Sequence, residues 1–175
     1  MSLIYLKEPN YDTGPESPIA CQYEQLCAGL KAGIDGAFRG VLSIWDTELT
    51  TEDWGFLLLD TKKALNEING IGMLWTVRHL WPSGARSIIK CYCHWSLLVL
   101  RVKNETATFL HSREGVTQGE PLYMIAYGIG TLPLIKNPKA EFPDVTEPWY
   151  DGNAGELGTF VTGYRVVYRT RVLYD

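Results

Sequence analysis

Between about Gln22 and Asp46 the apolar residues Leu26, Leu30, Ile34, Ala37, Val41, Ile44 and Trp45 recur every three or four positions, the period of one helix face. Gly29, Gly33, Gly36 and Gly40 weaken that helix by up to ~1 kcal/mol each relative to Ala, yet allow close backbone approach. The polar stretch "TTED" at 50–53 reads as a linker. The pattern then changes to a continuous apolar run, "WGFLLLD" at 54–60, which fits a buried strand with Asp60 at its C-terminal edge. Helical spacing resumes at Ala64, Ile68, Ile71 and Trp75, with Gly70 and Gly72 again lowering helix stability, and ends at the breaker "WPSG", 81–84. A second helix is predicted from about Ala85 to Trp95.

Two β-rich arms around "KNE" in "LLVLRVKNETATFLHS" predict a hairpin, followed by the polar, Gly-rich loop "REGVTQGEPLYM". Pro121 suits the first position of another helix, with Leu122, Ile125, Ala126 and Ile129 on its apolar face and a stop near Pro133 to Pro138. In "EPWYDGNAGELGTF", 147–160, Asp151-Gly152 is a tight-turn dipeptide, because both central residues of such a turn need φ > 0. Trp149, Tyr150 and Phe160 flank it and suit short strands. The first ~18 residues, with Pro9, Pro15 and Pro18, read as an extended arm, and "VTGYRVVYRTRVLYD" alternates like a last strand. The order β, α, α, hairpin, α, hairpin is that of an α+β fold. The expected organisation is an arm over 1–20, one domain over 21–160 and a truncated strand over 161–175.

Composition narrows the class. At 46% hydrophobic and 21% charged residues, with six Trp and ten Tyr, the chain can bury a sizeable core and does not have the composition of a disordered segment. No apolar run approaches the ~20 residues of a membrane span, and the first residues lack the basic and apolar segments of a signal peptide. An intracellular protein, cytoplasmic or nuclear, without a membrane partner is the expectation. The net charge of −4 argues against indiscriminate nucleic-acid binding, but its distribution is uneven. Residues 61–113 hold Lys62, Lys63, Arg78, Arg86, Lys90, Arg101, Lys103 and Arg113 against Glu67 and Glu105, a local balance of +6 that leaves −10 for the remainder. That asymmetry fits either a face that meets an anion or an ordinary solvated face. "CYCH" invites a metal site of Cys91, Cys93 and His94, but no matching second pair follows, which favours buried thiols for these and for Cys21 and Cys27.

An acid ending a buried strand is rarely there for packing. Asp60 could cap the following helix or serve chemistry; the loop "EGVTQGEPL" and the aromatic-Tyr hairpin downstream favour chemistry. Together these segments resemble the reverse transcriptases of retrotransposons over about residues 21–160. "FLLLDTKKALNEIN" is similar to polymerase motif A, "SREGVTQGEPLYMIAYGIG" to motif B, "PWYDGNAG" to motif C, and "QLCAGLKAGIDGA" to the segment preceding motif A. "VTQGEPL" is the most specific of these.

The resemblance implies a polymerase palm, an antiparallel sheet with packed helices, plus part of the fingers. It implies template-directed nucleotidyl transfer with two magnesium ions, an RNA or DNA template-primer and a deoxynucleoside triphosphate as partners. Two-metal chemistry needs hard oxygen ligands, supplied by acids from two adjacent strands. Asp60 matches the motif A acid and metal ligand, and Gln118 and Gly119 match the motif B pair that holds template and nucleotide. Leu65 stands where the family has Phe or Tyr against the ribose 2′ hydroxyl, and Tyr150 matches the motif C Tyr.

Gly152 and Asn153 occupy the two motif C acid positions, with Asp151 one residue earlier. A one-residue offset turns a strand side chain to the opposite face, so Asp151 is a poor substitute. Glu120 replaces the usual Asp and Tyr123 a small Ser. A reverse-transcriptase-like domain with a degenerate site is therefore expected, impaired in magnesium binding and catalytically inactive, in a decayed or truncated copy. The alternatives are a non-catalytic nucleic-acid-binding or interaction module, or a decayed product without function. Exposed apolar surface and self-association are expected if thumb and upstream fingers are missing.

Overall fold

The computed structural model describes residues 19–22, 24–28, 30, 32–48, 54–101, 107–118, 122–143 and 145–159. The predicted arm, the "TTED" linker, the tip of the first hairpin and the last strand lie wholly or largely outside these residues.

Helix α1 runs Gly33–Glu48. It starts later than the periodicity from Gln22 predicts, because Ala32 takes a left-handed φ of 55° and Gln22 one of 54°. The residues between serve the sheet instead: Gln25 forms a parallel bridge to Trp149, and the Leu26 N–H donates to the Trp149 carbonyl at 2.8 Å. Strand β1, Trp54–Asp60, matches its predicted bounds but is not the buried strand expected: its residues are half-buried or exposed, because one face is only partly covered by α1. The helix predicted from Ala64 to the "WPSG" junction is two helices, α2 (Ala64–Glu67) and α3 (Gly70–Leu80). Asn69 separates them, its side-chain oxygen accepting the Gly72 N–H at 2.8 Å as an N-cap. Helix α4, Pro82–Tyr92, begins at the predicted breaker, with Pro82 as a helix-opening residue and Gly84 inside the helix.

Strands β2 (Ser96–Leu100) and β3 (Thr108–Ser112) form an antiparallel hairpin of their own. Helix α5, Tyr123–Glu141, continues through Pro133 and Pro138, where the sequence predicts a stop. Each proline removes one backbone donor and disfavours the helix. Complete burial of Ile129, Leu132 and Ile135 along this helix supplies the packing that outweighs this. Strands β4 (Trp149–Tyr150) and β5 (Asn153–Thr159) form the second hairpin.

The three-stranded sheet has the order β1-β5-β4, antiparallel throughout, and the fold is α+β with helices packed beside small antiparallel sheets. The main core lies between α3, α4 and α5, built from Met73, Val77, Trp81, Ile88, Ile125 and Ile129. A second cluster of Leu59, Ile135, Trp149 and Ala154 joins one face of the sheet to α5. On the other face, Val41 of α1 and Phe56 of β1 fill the space above Gly155. Among the described residues, no helix is long and apolar enough to cross a membrane.

Candidate functional site

The end of β1 and the turn of the β4–β5 hairpin meet. Asp60 pairs with Asn153, and Asn153 pairs with Tyr150, so the three residues form one row across the sheet. Directly opposed residues point to the same face, with Cβ atoms ~4.5–5.5 Å apart. The Thr61 N–H donates to the Gly152 carbonyl at 2.8 Å and closes the junction. Asp60 and Asn153 are both exposed and Tyr150 is half-buried. Asp60 does not cap the next helix: Lys63, at a left-handed φ of 51°, holds the N-cap position of α2.

The turn differs from the sequence expectation in its backbone. Only Asp151 takes a positive φ, 57°, and Gly152 does not. Gly152 is required by close approach instead, since a Cβ there would stand 2.4 Å from the Ala64 Cβ. An acid at position 152 therefore needs α2 or the turn to move.

Asp151 belongs to the other flank of the hairpin, away from β1. Gln25, completely buried, grips its backbone twice, donating from Nε2 to the Asp151 carbonyl at 2.9 Å and accepting the Asp151 N–H on Oε1 at 2.8 Å. The Asp151 Oδ1 is buried without a hydrogen-bond partner, and burial raises the carboxyl pKa, opposed by a hydrogen bond from the Gly152 backbone. The Cys27 thiol lies close enough to respond to it. Burial first, and Asp151's charge in part, push that thiol up to about 12. Asp151 thus sits beside Gln25 and Cys27, and Asp60 has an amide, not an acid, across from it. Sequence reasoning missed Gln25 as the holder of the turn; a polar side chain contacting residues 126 positions away leaves no local signal.

The loop preceding α5 docks on the helix that follows Asp60. Val116 N–H donates to the Leu65 carbonyl at 2.7 Å, and Gly115 N–H to the Ile68 carbonyl at 3.0 Å. Gly115 takes φ 83°, and a Cβ there would lie 2.4 Å from the Asn66 carbonyl oxygen, so the position requires glycine twice over. Leu65 is half-buried and packs against the helical core. Gln118 is exposed, while Gly119, Glu120 and Pro121 lie outside the described residues.

Of the basic residues, Lys62, Lys63, Arg78, Arg86, Lys90, Arg101 and Arg113 are all exposed, and Lys103 lies outside the described residues. Lys63 pairs with Glu67 at 3.1 Å, and the Arg113 guanidinium stacks 4.4 Å over the Trp95 ring. The cysteines divide differently from the expectation of four buried thiols. Cys21 is buried and its thiol pushed up to about 12 by desolvation, Cys27 and Cys91 are half-buried, and Cys93 is exposed. Among the described residues, no three His, Cys, Asp or Glu side chains converge to hold a metal, around Cys91, Cys93 and His94 or elsewhere.

A pair of magnesium ions does not fit the donors of the 60–153 row. One exposed carboxylate, one amide and one phenol cannot supply the charge that adjacent-strand acids would. No protein-family model matches the chain, and no curated protein matches it.

Proposed function

We propose that this chain is a reverse-transcriptase-like palm with part of the fingers, binding a template-primer weakly and carrying out no nucleotidyl transfer. The observation that carries the reading is the register of the two strands. The motif A-like strand and the motif C-like hairpin are neighbours, with Asp60 directly opposite Asn153. Adjacency of those two elements is what a palm requires of its acids. The docking of Gly115 and Val116 on α2 supports the same arrangement, since it brings the motif B-like loop against the segment following Asp60. The resemblance of "VTQGEPL" to motif B adds the template side, for which Arg78, Arg86 and Arg113 are exposed cations.

Primer extension on an RNA template, together with binding to the same duplex at several salt concentrations, tests the reading. Binding that weakens steeply with salt, as counterion release demands, is expected alongside no extension. Magnesium-dependent extension abolished by Asp60→Ala would overturn the inactive assignment. Absence of binding at low salt would overturn the template-binding assignment and favour a product without function. Asn153→Asp, which puts a second carboxylate across from Asp60, is expected to introduce magnesium binding by calorimetry without restoring full synthesis.

A further inference from the structure

Among the described residues, β1 is an edge of the three-stranded sheet. Proteins that stay monomeric blunt such edges with lysine, proline, bulges or short strands. β1 uses none of these: from Trp54 to Leu59 it carries neither charge nor proline, and seven consecutive residues pair with β5 without a bulge. Leu58 is 74% exposed and Phe56 38% exposed, on the sheet face that α1 crosses. The Trp45 ring meets Phe56 edge to face at 6.1 Å, joining the strand to α1. There Ile34, Phe38 and Leu42, four residues apart, form a second exposed apolar row. These six side chains leave on the order of 600 Å² uncovered, at the upper end of what a monomer exposes in its largest patch and approaching the ~800 Å² per partner of a standard interface.

We propose that a second copy of this chain covers this face, through antiparallel pairing of β1 with its equivalent about a two-fold axis at Leu57. In that register Leu58 of each copy opposes Phe56 of the other, and Asp60 opposes Trp54. The two Asp60 carboxylates stand about 20 Å apart, beyond the Debye length at physiological salt. Moving the axis to Leu58 would set Asp60 against Phe56, further inside the apolar contact where an unpaired carboxylate is more costly, which is why the Leu57 register is favoured. The axis lies normal to the sheet, so the pairing makes a six-stranded sheet with both α1 rows on one face. Such a contact is self-complementary and closes at two copies. The proposal rests on this surface alone and stands apart from the polymerase reading.

Sedimentation velocity of the full chain over a concentration series, with hydrogen exchange of the 54–60 amides, tests it. A monomer–dimer equilibrium is expected, with those amides gaining protection as dimer accumulates. Leu58→Lys and Phe38→Glu, both at exposed positions, are each expected to raise the dissociation constant at least about tenfold with unchanged circular dichroism, since each places an unpaired charge in the contact. A monomer at every concentration, a dimer indifferent to both substitutions, or a dimer whose 54–60 amides exchange as in the monomer would overturn the proposal.

Discussion

The β4–β5 hairpin and the β2–β3 hairpin are both antiparallel pairs, and they end in opposite surroundings. The first is held from three sides. Trp149 and Ala154 pack with Ile135 and Leu59, Gln25 grips the turn, and β1 completes the ladder with β5. Among the described residues the second pairs only with itself, and Leu97, Leu98, Val99, Leu100, Phe109 and Leu110 are each about half exposed. Antiparallel pairing thus makes a hairpin in either case, and only tertiary partners make it a fixed platform. The row containing Asp60 and Asn153 belongs to the fixed one.

Removing the grip on the turn is the strongest way to test that difference. Gln25→Ala strands the Asp151 N–H and carbonyl in a buried setting and leaves a cavity, so a loss of about 3 kcal/mol is expected in denaturant unfolding. A loss below about 1 kcal/mol would mean that the sheet alone holds the hairpin.

Gly152→Asp should cost about 2 kcal/mol, because its Cβ meets Ala64 at 2.4 Å. Adding Ala64→Gly should recover part of that cost in a double-mutant cycle. Additive losses would show that the close approach is not what constrains position 152.

A smaller effect concerns pH at the segment leading into the same hairpin. Glu147 is buried, accepts the Trp149 Nε1–H at 3.2 Å through Oε2, and has Oε1 without a partner. Burial raises its pKa, opposed by that hydrogen bond and by Lys139. A carboxyl whose folded pKa is raised stabilises fully below its unfolded pKa and loses that stabilisation as pH rises through the folded value. Unfolding midpoints across the mildly acidic range should therefore fall with rising pH at this site. Glu147→Gln keeps an acceptor for Trp149 and should flatten that part of the profile; an unchanged profile would clear Glu147 of the effect.

The smallest change is expected in the other hairpin. Phe109, 61% exposed, should tolerate Ser within about 0.5 kcal/mol. A larger loss would show that β2–β3 is covered in solution and is not the freer of the two hairpins.

The elements whose physics is local can be read along the chain. β1 is legible from an unbroken apolar run of strand length, and the β4–β5 turn from Asp151-Gly152 between aromatic arms, whereas α4 opens at Pro82, three residues before the Ala85 start that the breaker "WPSG" suggests. The α+β order follows from those elements. What the sequence reading missed depends on atoms brought together from far along the chain. Helix α1 starts late because residues 25 and 26 are drawn into bonds with Trp149. α5 runs through two prolines because its burial outweighs the lost donors. Its place at a strand end made Asp60 a candidate and the motif resemblance pointed to position 153, but only strand pairing set the two opposite each other. Only the close packing of Ala64 explains why glycine suits position 152. Likewise, Gln25 holds the Asp151 backbone while the Asp151 Oδ1 is buried without a partner, a placement no spacing rule encodes, because hydrogen bonds and desolvation act through space rather than along the chain.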